Sequence, residues 1–341
     1  MKHRLAVAAL ALAAAVSASA ASAAPSYSVT DHLKGAGDGG WDYASFDPVH
    51  GRVFISRAGG VTVVDVARKA VSVLTIPGSG RMHESLPLDH GRVLLVTDGN
   101  ASAAHLIDAA TGAAIADIPV GQKPDAAVFD PVSGLALVMN GHSGSVSLID
   151  PAAHKAVGEI ALGGSLEFAA ADGKGKVFVD IEDQNQIDVI DTKTRTLAGH
   201  YATPGCTGPG GIAYAPDAGV LIVSCGNKVA KVLNAADGQD LGTLTIGAGP
   251  DAVFYDAVRH LAFIPCGRDG VLEVIAVRGA HDVAVVQTVP TELGARTGAV
   301  DPATGAIYLP TAKYQTSPGN PPSIVPGTFE IVVLTPGKAA D

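Results

Sequence analysis

Turns opening on Asp47, Asp130, Asp256 and Asp301 recur along the chain, and five residues before them stand Asp42, Asp125, Asp251 and Arg296. Equivalent places carry Glu167 and Gly210, while a shortened turn at Asp89-His90-Gly91 leaves His83 or Glu84 in the same role. If these positions meet, four or five carboxylates share one space with an imidazole and a guanidinium. Carboxylates crowded together repel unless a cation, a proton or the arginine relieves them. The pattern predicts one of three things: a divalent ion, calcium or zinc, on Asp42, Glu167 and Asp251; a cationic ligand; or an acid/base pair with displaced pKa values. The plainer alternative is that each Asp accepts backbone amides at its strand start. His83, Glu167 and Arg296 are not needed by a generic turn, and their presence favours a site. Arg57, Asp98, Asn140, Cys225, Cys266 and Lys313 are expected nearby, at or beyond the ends of the adjoining strands.

Other motifs are weaker. Gly35 to Gly40 matches GxGxxG but neither follows a clear strand nor opens a helix, so it reads as an entry loop. Gly141-His142-Ser143-Gly144-Ser145 lacks the second glycine of a nucleophile elbow and suits a hairpin turn. No CxxC or HExxH spacing appears, which argues against a structural zinc site. Of the three cysteines at least one is left over within the chain. Cys206 and Cys225 flank two antiparallel strands and make the favoured disulfide, with Cys225 and Cys266 the rival pair.

The elements that must position these groups are written as a repeat. Short β-prone runs begin at Val53, Val93, Leu135, Val177, Val220, Leu261 and Ile307, with offsets of 40, 42, 42, 43, 41 and 46 residues. A period near 40 to 45 residues with about four strands per unit is that of a β-propeller blade. The prediction is an all-β, seven-bladed β-propeller, with blades over 41–76, 82–120, 124–162, 165–202, 206–246, 250–289 and 295–334. Only seven residues follow Leu334, so blade seven lacks an outer strand, and 27–33 is expected to supply it and close the ring. An insertion from Tyr314 to Thr328, rich in proline, is expected to lean over the channel mouth.

Residues 1–23 read as a cleaved secretory leader, with Lys2, His3 and Arg4 before an apolar run and a small-residue end at Ala21-Ser22-Ala23. The reading is one exported domain over 24–341, periplasmic or secreted. Without the leader 21 basic residues face 33 acidic ones, a balance of −12. Such acidity and the lack of a basic cluster argue against nucleic acid, and no later run is apolar enough to span a bilayer.

The repeat resembles the YVTN family of bacterial β-propellers, the YncE-like proteins. The residues carrying the likeness are Gly40-Trp41-Asp42-Tyr43, Pro124-Asp125-Ala126-Ala127, Asp172-Gly173-Lys174-Gly175 with Ile181-Glu182-Asp183, Cys206 to Gly211, Asp251-Ala252-Val253-Phe254, Gly294-Ala295-Arg296-Thr297 and Phe329 to Val333. The resemblance implies an exported seven-bladed propeller and a shared Cys206/Cys225 pair. It also extends to the repeats of the methylamine dehydrogenase heavy chain. The family supplies no uniform activity. With no convincing nucleophile or cofactor motif, the sequence favours a protein that binds a partner or small ligand through its top face and acidic channel. The alternative is a metal-assisted hydrolase or lyase of lactonase type, with His83 as base and Arg296 stabilising an anion.

Overall fold

The computed structural model describes residues 25–37, 39–76, 80–316 and 322–337. The expected leader, 1–23, lies outside them. The described residues contain no α-helix and form seven four-stranded antiparallel sheets, each one blade of a β-propeller. In blades one to six the strands pair in chain order, as Trp41–Asp47, Arg52–Arg57, Gly60–Asp65 and Ala70–Thr75 do in blade one. Aspartates set the corners. Asp130 is fully buried and accepts the amide of Ser133 at 2.9 Å, and Asp256 accepts those of Val258 and Arg259. Side-chain caps of this kind let a tight turn enter a second strand without leaving an amide unmet.

Second strands are apolar on both faces because each blade is covered on both sides. In Leu135–Asn140, Leu137 and Met139 pack toward blade four, while Ala136 and Val138 pack toward blade two. Seven apolar clusters result, one at each blade-to-blade interface. The cluster joining Trp41, Val53 and Ile55 to Tyr308, Ile331 and Val333 closes blade seven on blade one.

Closure is by the N-terminal strand. Tyr27–Lys34 pairs with Glu330–Pro336, and blade seven is completed from both ends of the chain. Tyr27 is buried against Phe263 of blade six with ring centroids 5.2 Å apart, and Gln287 bonds both its amide and its carbonyl. The free edge of Glu330–Pro336, which would otherwise template aggregation, is thereby covered.

The insertion after Thr311 forms a small hairpin, Tyr314–Gln315 with Ser323–Ile324, and turns Tyr314 and Ile324 toward Trp41 and Arg296 at the mouth. Cys206 and Cys225 form the disulfide, Cα atoms 5.5 Å apart, and Cys266 is a buried free thiol.

Candidate functional site at the channel mouth

Inner strands carry one residue more than their neighbours need. Trp41 pairs with Arg57 and Ala44 with Ile55, so Asp42 and Tyr43 together stand opposite Ser56. In the same way His83 and Glu84 oppose Thr97, Asp125 and Ala126 oppose Met139, and Glu167 and Phe168 oppose Asp180. Blade six has the same excess between its Pro250–Cys266 and Phe254–Phe263 pairs. A bulge bends its strand and re-aims the extra side chain. Here the first bulge residue of blades one to four lines the mouth of the channel. Thr97 shows how the ladder is repaired, for its hydroxyl accepts from the Glu84 amide and donates to the Asp125 carbonyl.

One cavity of about 240 Å³ gathers the result. Blade one supplies Asp42 and Tyr43, blade two Arg81 and His83, and blade three Lys123 and Asp125; Glu167, Asp251 and Arg296 come from blades four, six and seven. Six of the residues expected from the sequence therefore meet: Asp42, His83, Asp125, Glu167, Asp251 and Arg296. None of the three aspartates accepts a backbone amide among the described residues; the corner aspartates do that. Glu84, the other half of the blade-two bulge, is buried beside the cavity and accepts the Ser85 amide. Arg57 and Asn140 lie elsewhere. Arg57 binds the carbonyls of Ala36, Gly37, Gly39 and Gly40 and lies 3.6 Å from the Phe329 ring centroid, clamping the entry loop. Asn140 is buried and donates to Ser145 and Ser147.

His83 is the hub. Its Nδ1 lies 2.8 Å from Asp42 Oδ2 and 3.2 Å from Asp125 Oδ1, with only 4% of the side chain exposed. Burial opposes a charged imidazole, but bonds to Asp125 and Asp42 outweigh it and hold the pKa at about 9. Arg81 approaches Asp42 to 3.9 Å. Arg296 Nε bonds Asp251 at 2.6 Å and its Nη2 bonds the Trp41 carbonyl at 2.9 Å.

The remaining acids are pushed toward neutrality. Burial, then the field of Asp125, then Glu182 and Asp251, raises Glu167 to about 9. Burial raises Glu84 to about 8, and it raises Asp251 to about 6 against the pull of Arg296. Tyr43, whose hydroxyl lies 3.5 Å from Glu167, is driven well above its ordinary range by burial and then by the surrounding carboxylates. The lining thus brings the basic Arg81, His83, Lys123 and Arg296 together with the acidic Asp42, Asp125 and Asp251, while Glu167 is held toward its protonated form. The mouth carries both signs of charge.

Sequence reasoning missed Tyr43, Arg81 and Lys123. Arg81 and Lys123 each stand two residues before a bulge residue, where other blades have Gly40, Ser165, Gly208, Gly249 and Gly294. That alternation was the available signal. Asp180, opposite the blade-four bulge, was also missed; it is fully buried, neither oxygen has a hydrogen-bond partner among the described residues, and burial raises its pKa well above the ordinary range.

For a metal ion, the geometry selects Asp42, His83 and Asp125, whose donor atoms all lie within 4.8 Å of one another. Glu167 and Asp251 are not part of that group. Two carboxylate oxygens and an imidazole nitrogen suit zinc, and a proton on His83 fills the same space as the ion would.

Neither a family model nor a curated protein matches the chain in sequence. Solved structures match it in shape. A chain of a mitotic checkpoint complex superposes with a TM-score of 0.74 at 14% identity, over 97% of this chain and 98% of that one. A chain of hydrazine synthase from Kuenenia stuttgartiensis gives 0.72 at 14% identity, over 97% and 100%. Similarity at this identity establishes the propeller fold alone. Among the described residues no helix is long and apolar enough to cross a membrane.

Proposed function

We propose that this protein is an exported β-propeller of the YVTN type that binds a small polar ligand, or the charged tip of a partner, at its channel mouth. The observation that carries the reading is the meeting of nine polar or ionisable side chains from six blades around one cavity. Bulges aim several of them there, burial keeps Asp42, His83 and Asp125 from water, and the mixed signs allow each end of a zwitterionic or hydrogen-bonding ligand to find a partner. The disulfide supports an oxidising compartment, as the leader-like sequence does. A propeller suits such work because its rigid ring presents side chains from distant parts of the chain on one face.

The test is a thermal-shift panel of small amino acids, polyols, sugars and organic acids against the wild type and Arg296→Ala. A ligand at 100 times its Kd adds about 2.7 kcal/mol, a rise in Tm of roughly 5 °C for a domain this size. Compounds that raise the wild type and not the variant support the reading. Equal shifts in both proteins, or none in either, would sink it.

A second reading rests on the compact Asp42, His83 and Asp125 group. A zinc or calcium ion held there would polarise a carbonyl or activate water, with Arg296 across the cavity to meet a developing anion. Elemental analysis of the purified mature protein and of Asp42→Ala discriminates. Stoichiometric metal lost in the variant supports a metal-assisted hydrolase; metal-free protein with no uptake on zinc titration excludes it.

A further inference from the structure

Beside the mouth, between blades six and seven, lies a larger cavity of about 630 Å³ that shares Asp251 and Arg296 with it. Volumes of this size are those of small-molecule sites. Its position follows from the repeat. Where blades two and three place Arg81 and Lys123, two residues before the bulge, blades six and seven place Gly249 and Gly294, and the space stays open. These glycines are under geometric constraint. A Cβ on Gly249 would stand 2.5 Å from Arg268 Cγ, one on Gly294 2.5 Å from Tyr314 Cε2, and one on Gly267 2.9 Å from Arg296 Cβ. Gly249 and Gly294 also sit at φ +72° and +86°, where side chains are strained. Three backbone positions are thus kept bare against three of the side chains that line the cavity.

Two of those side chains, Arg268 and Arg296, share a chemistry. Arg268 is exposed at the cavity wall and has no ion-pair or side-chain hydrogen-bond partner among the described residues. Arg296 uses Nε on Asp251 and Nη2 on Trp41, leaving Nη1 unbonded among the described residues, and the Asp251 charge is already answered by that pair. Among the residues lining the cavity two guanidinium groups stand with one carboxylate, and a planar guanidinium fork suits a ligand carboxylate. The same cavity is lined by Tyr314, 38% exposed, and Leu293, 60% exposed, two of the few large apolar side chains left open to solvent among the described residues.

We propose that this cavity binds a small organic carboxylate with a flat apolar body, its anion on Arg268 and Arg296 and its body between Tyr314 and Leu293. The assignment deepens the binding reading by naming a ligand class, and it rests on that reading of the top face. No covalent step is involved.

Isothermal titration with 2-naphthoate, 2-naphthamide and 2-naphthylmethylammonium tests it. The expected result is saturable binding of naphthoate, with naphthamide about tenfold weaker and the ammonium weaker still, as loss of a charged hydrogen bond requires. Arg268→Ala should weaken naphthoate about tenfold and leave naphthamide unchanged, while Tyr314→Ala weakens both. Arg268 is exposed, so its removal leaves the fold intact. Equal affinity for acid and amide, an unaffected Arg268→Ala, or no naphthoate binding at millimolar concentration would overturn the assignment. Lys123 lines the mouth and not this cavity, so the thermal-shift panel repeated with Lys123→Ala reads the mouth by itself: a failure of naphthoate alone leaves the broader function standing, and failure of both removes it.

Discussion

Replacing His83 is the sharpest perturbation of the mouth. The imidazole sits 2.8 Å and 3.2 Å from two carboxylates and is almost wholly buried. A pKa of about 9 in the folded protein against 6.5 unfolded corresponds to roughly 3 kcal/mol of preference for the charged form. Because the folded value is the higher, this stability is present in full below pH 6.5 and is lost as pH rises through 9. His83→Ala removes it and leaves Asp42 and Asp125 facing each other, a situation that costs about 3–5 kcal/mol when one partner of a buried pair is deleted. His83→Gln retains an amide donor and should recover about 1 kcal/mol of that loss. Urea unfolding at intervals from pH 6 to 10 is the assay. The expected destabilisation of His83→Ala is about 3 kcal/mol at pH 6, shrinking by pH 10 to the packing cost alone. A loss that stays constant across this range would refute the reasoning, since it would mean that His83 is not charged in the folded state.

Glu167→Gln should show a pH dependence of the same sign. Its carboxyl is held near 9 against 4.5, so wild-type stability falls as pH rises between those values, and the variant should gain on the wild type by at most about 1.4 kcal/mol per pH unit across the window; parallel stability curves would contradict it. Reduction of Cys206–Cys225, which closes a loop of sequence separation 19, should cost about 3 kcal/mol in urea unfolding under reductant. A thiol reagent should count no reactive group in the native protein and one after denaturation, because Cys266 is buried and burial pushes its thiol up to about 12; native-state labelling would be the contrary result. Tyr27→Ala should cost about 3–5 kcal/mol by loosening ring closure, whereas Tyr27→Phe should cost nothing, since the Tyr27 hydroxyl is buried without a partner among the described residues. A large loss in Tyr27→Phe would show that hydroxyl to be bonded.

The propeller was legible because its signals are local and repeated. Aspartate-led turns and two-faced apolar runs such as Leu135 to Met139 recur at one spacing, and ring closure follows from the missing outer strand. The mouth was legible only by register. Counting back from the corner found Asp42, Asp125, Asp251 and Arg296, but the count cannot see a bulge, which is why His83 and Glu84 could not be separated until the ladder showed both in one bulge. Arg81 and Lys123 escaped because their role depends on reach across the mouth rather than on strand position. The expectation of an acidic channel shifted for the same reason: these basic groups and the protonated Glu167 offset carboxylates that the sequence counts as charges. Arg57 occupies the right strand end, yet its guanidinium is drawn to four loop carbonyls that no spacing rule foretells.

The claim on which the account rests is that side chains from separate blades meet around His83. Titration of its ring by carbon-13 NMR, assigned by the resonance absent from His83→Gln, tests this most directly. The account predicts a pKa of about 9 in the wild type, lowered both by Asp42→Asn from blade one and by Asp125→Asn from blade three. A value near 6.5 in all three proteins would contradict it.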